Sequence, residues 1–449
     1  MLFITVHQAA AQGVNFAPAF LLDIGFAPAY VVAADVNGDG KPDLISANIG
    51  GGTGGTGTLT VMTNDGSGGF ALEATLDVGN FPLCVVAADV NGDGKLDLIS
   101  ADFGPGGSGN TLTIWTNNGN GFGYNSTLTV GLGPVSVVAA DVNGDGKVDL
   151  ICANDMDGTL TVLTNNGNGG FGLYATLPVG ASASSYPDSV AVADVNGDGK
   201  PDLISANSNN GTLTVLTNNG NGGFGLNATL TVGSGPASVI AADVNGNGKP
   251  DLISANAYDG TLTVLTNNGH GLFGFNATLN VGLSTNSSPE NVVAVDVNGD
   301  GKLDLVSADF GDDTLTVLIN DGSGGFGTSA TLSVGDAGSE PNSVAAADVN
   351  GDGRLDLISA NFGNNTLSVL VNETTGAPVA PSLAISLTES STVVVSWPSP
   401  SDGYVLQQNS DLATTNWLDF SGTVNDNGTT KSASITPLTD SQFFRLRHP

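Results

Sequence analysis

Apolar residues along this chain fall in runs of four to eight, cut by clusters of Gly, Asn and Asp, and not at helical spacing. Runs of that length between turn formers predict short strands. From Ser189 to Val232 the pattern gives four of them: Ser189–Val195, Asp202–Ala206, Thr212–Thr217 and Phe224–Val232, with an Asn/Gly turn before the last. The first is apolar and Ala-rich on both faces, as an innermost strand must be where neighbouring sheets crowd together. The four-strand pattern recurs. Its marker, Asp-Val-Asn-Gly-Asp/Asn-Gly-Lys/Arg-x-Asp-Leu, starts at Asp35, Asp89, Asp141, Asp194, Asp243, Asp296 and Asp348, so successive starts lie 54, 52, 53, 49, 53 and 52 residues apart. A period near 50 residues suits one four-stranded propeller blade and is too long for a one-strand solenoid coil.

The ends of the array carry a further expectation. The seventh repeat stops after its third strand, Thr366–Val371, and the missing fourth is found at the other end, in Asn15–Gly25. An N-terminal strand that completes the last sheet removes an exposed edge and fastens a ring. The fold class expected is therefore all-β, a seven-bladed β-propeller over residues 15–375 closed by an N-terminal strand. A Pro-rich linker at 376–382 and a small β-sandwich at 383–449 follow, the latter with strands at Thr392–Trp397, Gly403–Gln408, Ser432–Thr436 and Phe443–Arg447.

Composition narrows the partners. The chain has 449 residues, 65 of them Gly, with 12% charged and 40% hydrophobic residues, which suits many short strands joined by Gly-rich turns. The formal net charge is −33. Of only ten basic residues, seven occupy one motif position, and Lys431, Arg445 and Arg447 lie near the C-terminus. Such a surface repels phosphate backbones and anionic membranes and attracts divalent cations, so nucleic acid is excluded as a partner. No apolar run reaches the roughly 18 residues of a membrane span, so membrane insertion is not expected. Residues 1–14 end in small residues, as a signal-peptide remnant would, and a secreted or cell-surface monomer is the expectation. Cys84 and Cys152 stand at different positions of different repeats and read as small buried residues.

Each motif offers oxygen donors at positions 1, 3, 5 and 9 and a backbone carbonyl at position 7, with Gly at position 6 to allow the sharp turn. In order along the chain the sets are Asp35, Asn37, Asp39, Lys41 and Asp43; Asp89, Asn91, Asp93, Lys95 and Asp97; Asp141, Asn143, Asp145, Lys147 and Asp149; and Asp194, Asn196, Asp198, Lys200 and Asp202. Asp243, Asn245, Asn247, Lys249 and Asp251; Asp296, Asn298, Asp300, Lys302 and Asp304; and Asp348, Asn350, Asp352, Arg354 and Asp356 complete them. Hard oxygen ligands of this charge suit Ca²⁺, at up to seven sites, whereas Zn²⁺ would want His or Cys. An EF-hand would carry Glu at position 12 between helices. Here position 12 is Ser or Cys and the flanks are strands, so the loop is a calcium-binding β-hairpin. Asn247 replaces Asp at position 5, so the fifth site should bind most weakly. Without metal, the same residues would serve as caps of tight turns.

At these loops, and at segments such as Ala308-Asp309-Phe310-Gly311, the chain resembles the FG-GAP/VCBS repeat proteins, which include the integrin α-subunit propeller. The resemblance covers about residues 15–372 and implies the propeller fold, calcium and extracellular recognition. Trp397 on an early strand and Tyr404 after a turn give the C-terminal region a likeness to a fibronectin type III module.

In four-stranded sheets of this kind the first-to-second loops and third-to-fourth turns share one end and scarcely vary between repeats. The second-to-third and fourth-to-first loops share the other end and differ, as a recognition surface does. Candidate ligand contacts there are Phe81, Phe103, Tyr186, Asp188, Tyr258, Glu290, Phe310, Glu340 and Phe362, and packing of the loops is the alternative role. The partner expected is an extracellular glycan or protein. Catalysis has little to stand on. His7 and His448 are terminal, His270 lies in a third-to-fourth turn, and Gly52–Gly57 matches a dinucleotide fingerprint but precedes a strand. A polysaccharide lyase using Tyr186 or Tyr258, or a purely structural repeat module, are the alternatives.

Overall fold

The computed structural model describes residues 13–51, 56–180, 182, 184–220, 223–374, 384–387, 393–398, 405–409, 417–426, 430–435 and 443–447. The expected signal-peptide remnant, apart from Gly13 and Val14, lies outside these residues, as do the linker, Gly52–Gly55 of the fingerprint, His7, His448 and Tyr404. The chain divides into a repeat array, Gly13–Val297 with Gly301–Thr374, and a smaller body built largely from Thr375–Pro449.

The array is a propeller-like series of antiparallel four-stranded sheets, seven among the described residues. In the fourth the strands are Pro187–Ala193, Asp202–Asn207, Thr212–Asn218 and Phe224–Thr231, each within two residues of the expected bounds. The last sheet takes its outer strand from the other end of the array. Phe20–Asp23 pairs antiparallel with Thr366–Leu370, Phe20 opposite Val369 and Asp23 opposite Thr366. It is shorter than the Asn15–Gly25 read from the sequence. Pro18 lacks the N–H a ladder needs, and upstream of the strand only the Phe16–Asn372 bridge remains.

Second strands are buried on both sides because each sheet is sandwiched between two others. The large apolar clusters of the array each join two neighbouring sheets, as where Val195, Ile204, Leu213 and Val215 of the fourth meet Val239, Leu252 and Leu265 of the fifth. The first sheet meets the last in the same way, through Val31, Leu44 and Met62 against Val349, Ile358 and Val369.

Polar groups repeat as faithfully. The third strand of each sheet ends in a buried Asn: Asn64, Asn117, Asn165, Asn218, Asn267, Asn320 and Asn372. Its Nδ2 donates to the carbonyl of a motif Val in the preceding sheet at 2.6–2.9 Å, and Asn64 reaches Val349 of the last. Its backbone N–H donates to the position-9 Asp of its own sheet at 2.7–2.9 Å. The other oxygen of that Asp accepts the N–H of the motif Val at 3.0–3.2 Å. One carboxylate and one amide thus fix the motif loop to the third strand and each sheet to its predecessor.

A second ladder lies deeper. A Ser hydroxyl on the second strand donates to the Asn or Asp two residues on, at 2.8–3.0 Å, in six sheets. In the third sheet Cys152 replaces that Ser, and Asn154 Oδ1 is left buried without a hydrogen-bond partner.

The smaller body holds two antiparallel sheets. One is ordered Ala384–Leu387, Val393–Pro398, Thr430–Ile435, Val424–Asp426, and the other Leu418–Asp419, Val405–Asn409, Phe443–Arg447. Val395 and Ala433 of the first and Leu406 of the second share its core, with Phe420, Ile435 and Phe444 packed around them. The four expected strands are present, with three short ones added.

Two substitutions test this account. Asn218→Leu strands the Val142 and Pro201 carbonyls and should cost about 2–4 kcal/mol in urea unfolding. Cys152→Ser should return a donor to Asn154 and stabilise by about 1 kcal/mol; a lower midpoint would refute the assignment.

Candidate functional site

The motif loops are built by their own side chains. In the first, Asp35 accepts the backbone N–H groups of Gly38, Asp39 and Gly40 at 2.7, 3.2 and 2.7 Å. Asn37 Oδ1 accepts Asp39 N–H at 2.8 Å, and Asp39 Oδ1 accepts Lys41 N–H at 3.0 Å. Gly38 and Gly40 have φ of 80° and 84°, a turn that a side chain would strain. The same bonds recur around Asp89, Asp141, Asp194 and Asp348. In the fifth loop Asp243 keeps its bond to Gly248 N–H, while Asn247 Nδ2 turns to the carbonyl of Asn267. In the sixth, Asp296 accepts Gly301 N–H at 2.7 Å, and Asn298 accepts Asp300 N–H at 2.8 Å. The position-7 side chain is an exposed partner of the position-5 carboxylate, at 3.6 Å for Lys41–Asp39 and 3.1 Å for Arg354–Asp352.

As a donor set these loops suit a hard divalent cation. They are all-oxygen, with three carboxylates against one basic side chain in six of the seven. Their carboxylates are spoken for by backbone N–H groups, and among the described residues no three acidic, His or Cys side chains converge as a metal cluster. Position 9 is the most committed. Burial pushes the Asp43 carboxyl upward, and the N–H groups of Asn64 and Val36 oppose that shift; Asp97, Asp149, Asp202, Asp251 and Asp356 follow the same pattern.

At the opposite end the seven first strands line a channel of about 580 Å³. Each contributes, and Tyr30, Leu83, Val135, Asp188, Ala237, Glu290 and Asn342 represent them in order. At the entrance the chain passes through a left-handed residue just before the Pro that begins each of the seven strands. Ala27, Phe81, Tyr186, Ser288 and Glu340 have φ of 50–55°, and Gly133 and Gly235 take the same place in the other two sheets. A left-handed non-Gly residue costs about 1 kcal/mol or more, so five such residues around one opening store strain there.

Acidic side chains hold these loops. Asp157 Oδ2 accepts Leu132 N–H at 2.7 Å, Asp259 Oδ2 accepts Ser234 N–H at 2.6 Å, and Asp313 accepts Gly338 and Glu340 N–H, both at 2.8 Å. The sequence reading missed this role. The acidic residue just before the third strand in the third, fifth and sixth sheets was its visible signal.

The nine candidate contacts therefore separate. Phe81 and Phe362 pack against Ala27, Ala29 and Ile49, and the Phe310 and Phe362 rings lie 6.2 Å apart, so these serve the loops. Phe103 is half-buried, and its N–H donates to the carbonyl of Phe81. Tyr186 and Tyr258 are exposed, Tyr258 at 76%, and they join Phe26, Leu132, Met156 and Leu283 in an apolar fringe at this end. Asp188 and Glu290 line the channel, and Glu340 is half-buried.

Burial raises both Asp188 and its hydrogen-bonded partner Asp155; the Asp155 charge raises Asp188 further, while the hydrogen bond from Asp188 opposes the shift of Asp155, and burial raises Glu290 too. Asp102 and Asp309 stand where the other five sheets carry Asn, receive mostly hydroxyl donors, and are pushed to about 6 and about 7 by desolvation. Both thiols are buried with raised pKa, Cys84 at about 11.

Stacked four-stranded antiparallel sheets around a channel, with a loop motif in each repeat, define a propeller-like repeat protein. Six overlapping segments, 35–100, 89–152, 141–205, 194–254, 243–307 and 296–359, match the FG-GAP-like repeat, and the chain belongs to that family. A T-cell immunomodulatory protein homolog of Plasmodium falciparum is 30% identical over 129 residues, which is 26% of this chain and 18% of that protein. The chain thus spans under a fifth of that relative's length. Among solved structures it is similar to BBS1N in a complex with ARL6DN (TM-score 0.55, 13% identity, 82% of this chain and 99% of that one). A putative 6-phosphogluconolactonase from Bacteroides uniformis is comparable (TM-score 0.54, 15% identity, 70% and 88%). At such identities the likeness is one of fold.

The buried carboxylates give a pH-dependent outcome. Asp309 has a folded pKa above its unfolded value near 3.9, so it withdraws stability as pH rises from about 4 to about 7. Asp309→Asn should raise the unfolding free energy at pH 8 by about 2–4 kcal/mol and change it little at pH 4, read from urea melts at the two pH values.

Proposed function

We propose that this chain is a calcium-stabilised, closed seven-bladed propeller that acts in extracellular recognition or adhesion, binding its partner through the variable-loop end without catalysis. The observation that carries the reading is the contrast between the two ends. One is a repeated acidic hairpin in every sheet. The other carries six exposed large apolar side chains around a channel, a concentration that marks interaction surfaces. Closure is supported by the Asn64–Val349 bond, the apolar cluster joining first and last sheets, and the N-terminal strand in the last sheet. FG-GAP-like repeats suggest extracellular interactions, and no helix among the described residues is long and apolar enough to cross a membrane.

In the calcium loops the carboxylates of positions 1, 5 and 9, the amide of position 3 and the carbonyl of position 7 would hold the ion. The ion would neutralise crowded charge beside the joint between sheets, where the Gly169 N–H donates to the carbonyl of Val90 in the second loop. Binding without chemistry is supported by the burial of both thiols and the lone place of His270 in a turn at the other end.

Two measurements test the reading. Millimolar calcium should raise the thermal midpoint of the full chain by several degrees, since each saturated site adds about 2.7 kcal/mol at a hundredfold excess over Kd, and chelator should reverse it. Solid-phase binding to extracellular matrix proteins and glycan arrays should fall at least tenfold in a Met156→Ser, Tyr186→Asn, Leu283→Ser triple variant. Leu272→Ser, at the calcium end, should leave binding unchanged; equal losses would sink the loop-end assignment.

A further inference from the structure

We infer a second ligand site on the outer side of the array, a cleft that takes a neutral pyranose of a glycan chain. This rests on the recognition reading above, which it makes specific. The cleft encloses about 440 Å³ where the end of the fourth sheet meets the outer strands of the fifth. Thr231, Asp259, Thr261, Thr263, Phe275 and Thr278 line it.

Phe275 places an aromatic ring where three other sheets carry a Leu of similar exposure. It is a phenyl ring 69% exposed on an edge strand. A β-bulge explains its direction. The register shifts between Val264 and Leu265, so Asn276 has no partner, Phe275 opposes Leu265, and Thr278 opposes Thr263. The extra residue swings Phe275 onto the face shared by Thr278 and Thr263, the face turned to the fourth sheet. Without it the ring would point to the side buried against the sixth. Equivalent positions carry Leu72, Leu173, Leu226 and Thr328 elsewhere, and Tyr124, whose ring is held edge-on by Trp115 at 5.8 Å and whose hydroxyl meets Thr127.

The chemistry around the ring fits a sugar. A flat apolar face is what the C–H side of a pyranose packs on, and its hydroxyls need neighbours that both donate and accept. Thr hydroxyls do both. Asp259 commits one carboxylate oxygen to Ser234 N–H, which fixes its place at the rim and leaves a strong acceptor for a ligand hydroxyl. No basic side chain lines the cleft, and the chain carries a net charge of −33, so an anionic sugar is disfavoured.

The test is isothermal titration of the full chain in calcium with malto-, manno-, xylo- and chitohexaose, with polygalacturonate as the anionic contrast. Variants are Phe275→Ala, Phe275→Tyr and, at the variable loops, Tyr186→Asn, each checked by circular dichroism. At least one neutral hexaose should bind. Phe275→Ala should weaken it tenfold or more, while Phe275→Tyr stays within twofold of the parent. Sugar binding that survives Phe275→Ala and is lost in Tyr186→Asn overturns the cleft and leaves the loop-end reading intact. No binding of any neutral hexaose, or polygalacturonate binding as tight as theirs, also overturns it.

Discussion

The buried pairing of an Asp carboxylate with an Asn amide is the constraint from which the rest of the array follows. Each Asp occupies the ninth motif position and each Asn ends a third strand, and both are removed from water. Burying a carboxylate is costly unless its oxygens are met, and here two backbone N–H groups meet them in every sheet. The Asn in turn answers two carbonyls, one of them in the preceding sheet. Neither residue can be exchanged for an apolar one without stranding partners on two sheets. The acidic motif hairpin is therefore also the joint of the fold, and its sequence is held by architecture.

A frame fixed so tightly leaves its irregularities conspicuous. Cys152 breaks the Ser–Asn ladder, and Asp102 and Asp309 put charge where an amide suffices. The left-handed residues ahead of the first strands gather at one end, the same end as the apolar fringe and the raised carboxyls of Asp155 and Asp188. Left-handed residues other than Gly, strongly raised carboxyls and a fringe of exposed apolar side chains coincide where the loops vary. Proteins tolerate such costs where function requires them, at the expense of a stable scaffold elsewhere.

Much of this was legible in the residues. The period, the four strands and the origin of the strand beside Thr366–Leu370 follow from where apolar runs stop and which run lacks a counterpart. The hairpin turn follows from Gly38 and Gly40. Other features hid in plain view. Asn64 and its counterparts are polar residues ending apolar strands, and only the neighbouring sheet reveals their purpose. The left-handed turns at Phe81 and Tyr186 needed three dimensions, since Gly133 and Gly235 alone hint at the backbone there. Phe275 was not singled out in the sequence, and the bulge that directs it depends on register rather than on composition. The short strands Leu418–Asp419 and Val424–Asp426 carry too few residues to show a period.

The outer strand of the last sheet has a consequence in time. The partner of Phe20–Asp23, Thr366–Leu370, lies roughly 340 residues later in the chain, and at about 5–20 residues per second the earlier strand waits some 20–70 s for it. For that interval the intermediate sheets can stack on one another, while the first sheet keeps an unmatched flank and Phe20 and Leu22 have no place to go. A nascent chain with this topology is thus most vulnerable to joining another copy just before it is complete. The order of synthesis, more than the strength of any contact, decides how long that hazard lasts.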